Sequence, residues 1–472
     1  ACVCTCSLGR CVTMNTPWYR TSNLLIASML GAGVLSLPEA IADSGWIMGY
    51  ALLVLCCLGS GYTSVLLSRL KGAVPSAVIL SDLGEAAYGK KGRLVVTAVQ
   101  YVYMGSVCVV FQVGSAIALQ QVLRGVMRLT HHTHTHWLHD LSCFPWTSAL
   151  VTLVCFPLSL IRTLHDIAGP LSILGISTII FCLVVILVEL LKDERAEGIE
   201  TDLQPGKHGF ASVLDGFMDI VFAYGGQELM VEMIGEMKQP SHFWRSITLA
   251  MVVLFTSYSV VGGVGYYYLG RDVTSPVTSV AIDSTKWNVA VNAALFLHLC
   301  SSYAIELNVI INAKCRAAAF VSQRFSHRFA ARKKTDVLSG EGIDTAPLIQ
   351  KQVAESDFGE EQRASHSSIK HSNFLWIPVA LLTLTYSYLI SVLIPFFSDL
   401  QALIGAFGTT ATTYTFPIAF ALQLLDLKRG EKTLLQVFLG IALVLHVLGM
   451  YSAVSDIISK WQGGTPFMCD IP

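Results

Sequence analysis

Asn23-Leu-Leu-Ile-Ala-Ser-Met-Leu-Gly31-Ala-Gly33-Val-Leu-Ser-Leu-Pro38-Glu39 decides how this chain is read. The stretch is apolar enough, and nearly long enough, to cross a bilayer as a helix. Two glycines flank Ala32 at its centre, and a proline follows. Glycine loosens a helix and proline removes a backbone donor, so the spacing predicts a break near Gly31–Gly33. In hydrocarbon a break leaves amides and carbonyls unpaired, at a cost that only a cavity or a ligand can offset. A close helix crossing is the competing explanation, because small-residue pairs also let backbones approach.

The composition sets the class. Of 472 residues, 53% are hydrophobic and 13% charged, against about 25% charged in soluble domains. The chain reads as an all-α polytopic membrane protein. A net charge of −1 says nothing about nucleic acid; no basic stripe with interleaved aromatics appears, and no nucleic-acid partner is expected. Cys2, Cys4, Cys6 and Cys11 sit in a polar start; most other cysteines lie in apolar spans, where they act as small hydrophobes. No paired CxxC motif points to a metal or redox centre, and no cofactor is expected.

Apolar length gives eleven spans: Arg20–Ile41, Ile47–Leu70, Val95–Val126, Trp146–Ile161, Ile167–Leu191, Ala211–Glu236, Ile247–Leu269, Val289–Asn312, Phe374–Phe397, Leu400–Leu425 and Leu434–Ile458. Arg69, Lys71, Lys90, Lys91, Arg93, Lys238, Arg245, Lys428, Arg429 and Lys432 fall on one side, which marks it, and the N-terminus, as cytoplasmic. The expected organisation is a cytoplasmic tail (1–19), a first five-helix unit (20–191), a non-cytoplasmic loop (192–210) and a second five-helix unit (211–426). An eleventh helix then leads to a non-cytoplasmic C-terminus (427–472). Within the second unit, 314–373 is charged, Ser-rich and read as a disordered cytoplasmic loop. His131-His-Thr-His134-Thr-His136-Trp-Leu-His139 reads as a flexible polar loop, with a metal or pH-sensing role as the alternative. Cys143 and Cys469 share the non-cytoplasmic side, where a disulfide is permitted.

Five spans after the first break comes Asp219-Ile-Val-Phe222-Ala-Tyr-Gly225-Gly226-Gln227-Glu228, with a second glycine pair at membrane depth. Five is odd, so the two broken spans run in opposite senses, as in an inverted repeat with a midplane binding site. Half-helix N-termini offer free amides and a positive dipole end to a carboxylate. Free carbonyls at the facing break suit an ammonium group. A small zwitterion, an amino acid, satisfies both.

Gly31-Ala-Gly33-Val-Leu-Ser-Leu-Pro38, followed by Gly45-Trp46 and Gly49, resembles the first helix of the amino acid/auxin permease family. Phe222-Ala-Tyr-Gly-Gly226-Gln-Glu with Glu236-Met-Lys-Gln-Pro240 resembles its sixth helix and following loop; Ser302-Tyr303-Ala-Ile and Ile404-Gly-Ala-Phe-Gly-Thr-Thr resemble its eighth and tenth. The resemblance implies a five-plus-five inverted repeat, eleven helices, and ion- or proton-coupled transport of amino acids between membrane-separated compartments. It places the substrate carboxylate on the amides of Gly31, Ala32 and Gly33, and the amino group on carbonyls near Phe222, Ala223 and Gly225. The Phe222 ring becomes a lid, and Gly225 and Gly226 leave side-chain room. Ser301 and Ser302, with carbonyls near Ala27 and Leu30, are similar to a sodium site of this fold.

Ionisable groups inside a span are rare and face cavities. His298, Ser302 and Glu306 share one face of the eighth span; Glu228 is either a coupling group or an acid offsetting a half-helix dipole. His298 with Glu306 would make a proton relay, whereas Ser301 and Ser302 offer hard oxygen ligands to sodium. The coupling ion is therefore H+ or Na+, with the two titratable groups on one buried face favouring protons. The rival functions are an amino-acid-sensing receptor signalling through the 314–373 loop, and an intramembrane enzyme at His165-Asp166, which lacks a nucleophile–base pair. Asp344-Thr-Ala-Pro-Leu348-Ile349 fits an acidic dileucine signal for a sorting adaptor, which would direct the protein to an endolysosomal or vacuolar membrane rather than the cell surface.

Overall fold

A computed structural model describes residues 16–130, 140–160, 164–192, 195–204, 209–282, 284–338 and 376–463. The histidines 131–139, Cys469 and the Asp344, Leu348 and Ile349 signal lie outside them. Cys143 is disulfide-bonded.

The described residues are mainly helical. In chain order the helices are α1 (Trp18–Met29), α2 (Leu37–Ala73), α3 (Leu80–Thr130), α4 (Phe144–Ser159) and α5 (Leu164–Lys192). There follow α6 (Phe210–Ala223), α7 (Met230–Glu236), α8 (Phe243–Leu269), α9 (Thr285–Leu338) and α10 (Trp376–Leu393). The last are α11 (Phe397–Ile404), α12 (Phe416–Leu424) and α13 (Arg429–Gly463), with a π-helix over Gly405–Thr415 joining α11 to α12. Among the described residues seven helices are long and apolar enough to cross a membrane, and α4 is a shorter apolar one. Three interrupted spans complete the eleven that apolar length predicts: α1 into α2, α6 into α7, and α11 into α12.

The polarity is that of a protein in lipid. Leu58 and Val447 are 68% and 67% exposed, while Ser60, Gln112, Gln227 and Asp219 are buried. Apolar side chains outside and hydrogen-bonded polar ones inside is the arrangement that a hydrocarbon solvent favours. The buried polar groups fasten helices together. Gln112 of α3 donates to the Ser148 carbonyl of α4 at 2.7 Å, and Ser148 shares a 2.8 Å hydrogen bond with Ser391 of α10. In the packing, α2 and α8 run against each other, with α1 on α8 and α6 on α2; α9 packs along α3 and α5.

Three boundaries differ from the apolar-length reading, each for a local reason. Gly45 takes φ +72°, so α2 is kinked there, and the amides this frees are taken by the 195–204 loop: Trp46 N–H donates to the Asp202 carbonyl (3.0 Å) and Ile47 N–H to that of Leu203 (3.1 Å). The same loop grips α8, since Asp202 N–H donates to the Tyr266 hydroxyl at 2.6 Å and Glu200 pairs with Arg271. Gly89 at φ +67° likewise divides α3 into a short Leu80–Tyr88 arm and the spanning helix, which starts at Lys90 rather than near Val95. Helix α9 continues to Leu338, into the segment read as loop, because Ala-, Arg- and Lys-rich sequence after Ala313 favours helix even where it is too polar to stay in lipid.

Close backbone contact holds α6 against the start of the π-helix. A Cβ on Gly405 would lie 2.2 Å from the Met218 carbonyl oxygen, whereas one on Gly440 of α13 meets nothing within 4 Å. Gly405→Ala is expected to lower the thermal unfolding midpoint of the purified protein, by the several degrees that about 1–3 kcal/mol of overpacking brings. Gly440→Ala should leave it unchanged or raise it slightly. Equal midpoints for both would contradict this packing.

Candidate functional site

The first break follows α1. Leu30 N–H closes the helix on the Ile26 carbonyl at 2.7 Å, and Gly31 then leaves helical angles at φ −135°, ψ −137°. A 3-10 turn, Ala32–Leu35, restarts the chain and α2 continues it. Gly31 N–H turns back to the Met29 carbonyl and Val34 N–H to that of Gly31. The amides of Ala32 and Gly33 open the new turn, where no carbonyl lies a helical step behind them.

The second break follows α6. Gly225 N–H donates to the Phe222 carbonyl (3.0 Å), and Gly226 adopts φ +139°, which only glycine reaches without strain. A 3-10 turn, Gln227–Leu229, then enters α7. The exposed carbonyl of Tyr224 accepts the Ser60 hydroxyl of α2 at 3.0 Å. Ser60 in turn accepts the Gln227 amide nitrogen at 2.6 Å, and the Gln227 oxygen accepts the Thr413 hydroxyl at 2.6 Å. The π-helix makes this last bond possible, because its wider turn presents Thr409 and Thr413 towards the break; a Cβ on Gly225 would come 2.8 Å from Thr409 Cγ2.

The two breaks touch. A Cβ on Gly33 would lie 2.7 Å from Ala223 Cα, and one on Gly226 would lie 2.9 Å from Met29 Cγ. Buried Tyr258 of α8 joins them: its hydroxyl lies 2.7 Å from the Met29 carbonyl and 2.7 Å from the Ala223 carbonyl. These are the last residues of α1 and α6, so two negative dipole ends converge on one phenol proton. The Tyr224 ring packs edge-on against Tyr258, with centroids 5.0 Å apart.

Residues 14–459 match the family described as "Transmembrane amino acid transporter protein". The chain belongs to that family. It is 24% identical to amino acid transporter AVT3B of Arabidopsis thaliana, over 96% of each chain. It is 24% identical to the N amino acid transport system protein of Neurospora crassa, over 96% of this chain and 88% of the other. It is 25% identical to lysine histidine transporter-like 1 of Arabidopsis thaliana, over 62% of this chain and 64% of that one. Among solved structures, Mhp1, a nucleobase-cation-symport-1 family transporter with bromovinylhydantoin bound, has a TM-score of 0.49 at 11% identity, over 95% of this chain and 92% of that one.

Within this transmembrane amino acid transporter, the structure brings Gly31, Ala32 and Gly33 together with Phe222, Ala223, Gly225 and Gly226 at one meeting of two helix breaks. His298 of α9 joins them. It is 2% exposed, its Nδ1 lies 2.9 Å from the Gly175 carbonyl, and a Cβ on Gly31 would come 3.9 Å from its Nε2. A carbonyl only accepts, so Nδ1 carries the hydrogen. Nε2, which has no partner, therefore presents a lone pair when the ring is neutral and a donor when it is charged. Glu306 does not pair with His298: it stands two turns, about 11–12 Å, further along the helix and faces Glu228 and Tyr103. In this structure the charged group that acts on Glu306 is Glu228, not the expected relay partner His298. Ser301 is buried and donates to the Leu297 carbonyl of its own helix at 2.7 Å, Ser302 is half-buried beside it, and Ala27 and Leu30 flank the end of α1.

Sequence reasoning missed Tyr258, Ser60, Tyr103 and Thr413. Each is an uncharged hydroxyl in an apolar helix, with nothing in local pattern to separate it from Tyr266 or Ser64. Gln227 stood inside the quoted motif, and a buried amide beside a glycine pair was the available signal.

Two substitutions examine the site. Gly33→Val should force the breaks apart and abolish amino acid binding while the protein still reaches its membrane; unchanged apparent affinity would dismiss the assignment. Tyr258→Phe keeps the ring but strands two carbonyls, a cost of about 1–3 kcal/mol. It should lower the melting point of the purified protein and weaken amino acid binding, measured together by thermal shift with and without ligand.

Proposed function

We propose that this protein is a secondary active transporter that carries neutral amino acids by alternating access, in symport with protons. The observation that supports it most is the contact of two helix breaks at membrane depth, one opening with free amides and the other closing with carbonyls. The substrate carboxylate lies on the Ala32 and Gly33 amides beside His298, and the amino group lies towards the α6 carbonyls. Met29, Phe222 and Tyr224 leave an apolar surround, which favours a neutral side chain. The reading includes the five-plus-five inverted repeat, the two domain-like halves at 20–191 and 211–426, and a cytoplasmic N-terminus.

Protons are favoured over sodium by the carboxyl pair. Glu228 is buried and Glu306 half-buried, Glu228 acts electrostatically on Glu306, and two carboxylates withdrawn from water within reach of each other resist being ionised together. Holding a proton there in one half of the cycle and releasing it in the other is a use for groups that are otherwise costly.

Uptake of labelled amino acids into liposomes, with sodium replaced by a larger inert cation and an inward pH gradient kept, tests this. Uptake should persist, collapse on adding a protonophore, and lose its pH dependence in Glu306→Gln. Uptake that vanishes with sodium and ignores the protonophore would give the coupling to Ser301 and Ser302 instead. Binding without any transport would favour a receptor.

A further inference from the structure

A second group of acids stands on the other side of the breaks from Glu228 and Glu306. Glu39 and Asp43 come from the start of α2, Asp399 from α11, and Asp456 with Lys460 from α13. Lys460 donates to Asp399 Oδ1 at 2.7 Å and is the basic group set against them. Its side chain is 46% exposed and lies in the last turn of α13. Glu39 Oε2 and Asp399 Oδ2 are buried and have no hydrogen-bond partner.

Asp219 of α6 reaches into this group from one helical turn before the second break. It is 1% exposed. Its Oδ2 accepts the Ser398 hydroxyl at 2.7 Å, and its Oδ1 has no partner. Glu39, Asp43 and Asp399 all act on it electrostatically. Asp215, a turn earlier on the same helix, accepts the Ser452 hydroxyl at 3.0 Å and faces Asp456.

Six carboxyl groups against one ammonium cannot all be ionised inside a membrane protein. A metal ion is not what the geometry fits: among the described residues no three His, Cys, Asp or Glu side chains are placed to hold one. On the proton-symport reading, protons supply the neutralisation. The carboxyl best placed to couple it to transport is Asp219, because it rides on the helix whose Ala223 carbonyl Tyr258 ties to α1.

We infer that Asp219, within the Glu39, Asp43 and Asp399 group, is a proton-binding site that loads the coupling proton from the side opposite Glu228 and Glu306. A proton from solution on that side adds to Asp219 Oδ1, turning carboxylate into carboxylic acid, and no other bond changes. The inference rests on the proton-symport reading above.

The experiment uses the full chain in liposomes with labelled alanine as the probe. Two measurements are made: counterflow at equal pH, and accumulation driven by an inward pH gradient. Wild type lacking counterflow, or accumulating only with sodium, would fail the transport or proton reading itself. With both present in wild type, Asp219→Asn, which keeps the volume and can still accept from Ser398, should lose pH-driven accumulation and keep counterflow. Accumulation with the wild-type pH profile, or loss of counterflow as well, would overturn the inference.

Two neighbours supply an independent sign test. Removing a negative charge with Glu39→Gln makes the proton harder to hold, so the midpoint of pH-dependent uptake should move to lower pH. Removing the positive charge with Lys460→Gln should move it to higher pH. Shifts in these opposite directions support the site; unmoved midpoints, or shifts of the same sign, overturn it.

Discussion

Hydrocarbon offers a peptide group no hydrogen-bond partner, and most of this structure follows from that constraint. Two helices are interrupted within the helix bundle, and most of the carbonyls and amides left over are met by the protein itself. Tyr258 meets two carbonyls at once. Ser60, Gln227 and Thr413 form a chain that holds a third. His298 Nε2 has no partner, and it stands beside the turn that the Ala32 and Gly33 amides open; that is where the proposed substrate carboxylate would sit.

The same constraint decides how much was legible in the sequence. Composition and apolar length give the eleven spans, because a bilayer thickness is a crude ruler that side-chain detail does not disturb. Gly31–Gly33 and Gly225–Gly226 give the breaks, because glycine pairs at membrane depth have few other uses. The partners were hidden. Tyr258 lies far along the chain from Met29, and no period in α8 distinguishes it from the tyrosines at 266–268. The π-helix at Gly405–Thr415 was hidden for another reason: an extra residue per turn leaves no mark in apolar spacing when nearly every residue is small or hydroxylated. His298 and Glu306 share a helix face, yet two turns of separation let each find a different neighbour. A stripe on one helix shows direction and not company.

Charges in the membrane fall into two places. Glu228 and Glu306 stand beyond the second break, and the group around Asp219 stands before it. On the proton-symport reading, both places have fewer basic side chains than acids and both are candidates to hold a proton. Between them lie the breaks themselves, lined by hydroxyls, amides and rings, with His298 beside them. The acids frame the breaks without entering them.

The loop at 195–204 has a mechanical consequence. Its carbonyls hold Trp46 and Ile47 of α2, while its Asp202 amide and Glu200 hold Tyr266 and Arg271 at the end of α8. A strap across two helix ends converts them into a single lever. Since α2 carries Ser60 and α8 carries Tyr258, that lever grips the second break from two sides and the end of α1 from one. A displacement of α2 is then shared with α8, and slack in the strap would loosen both grips at once.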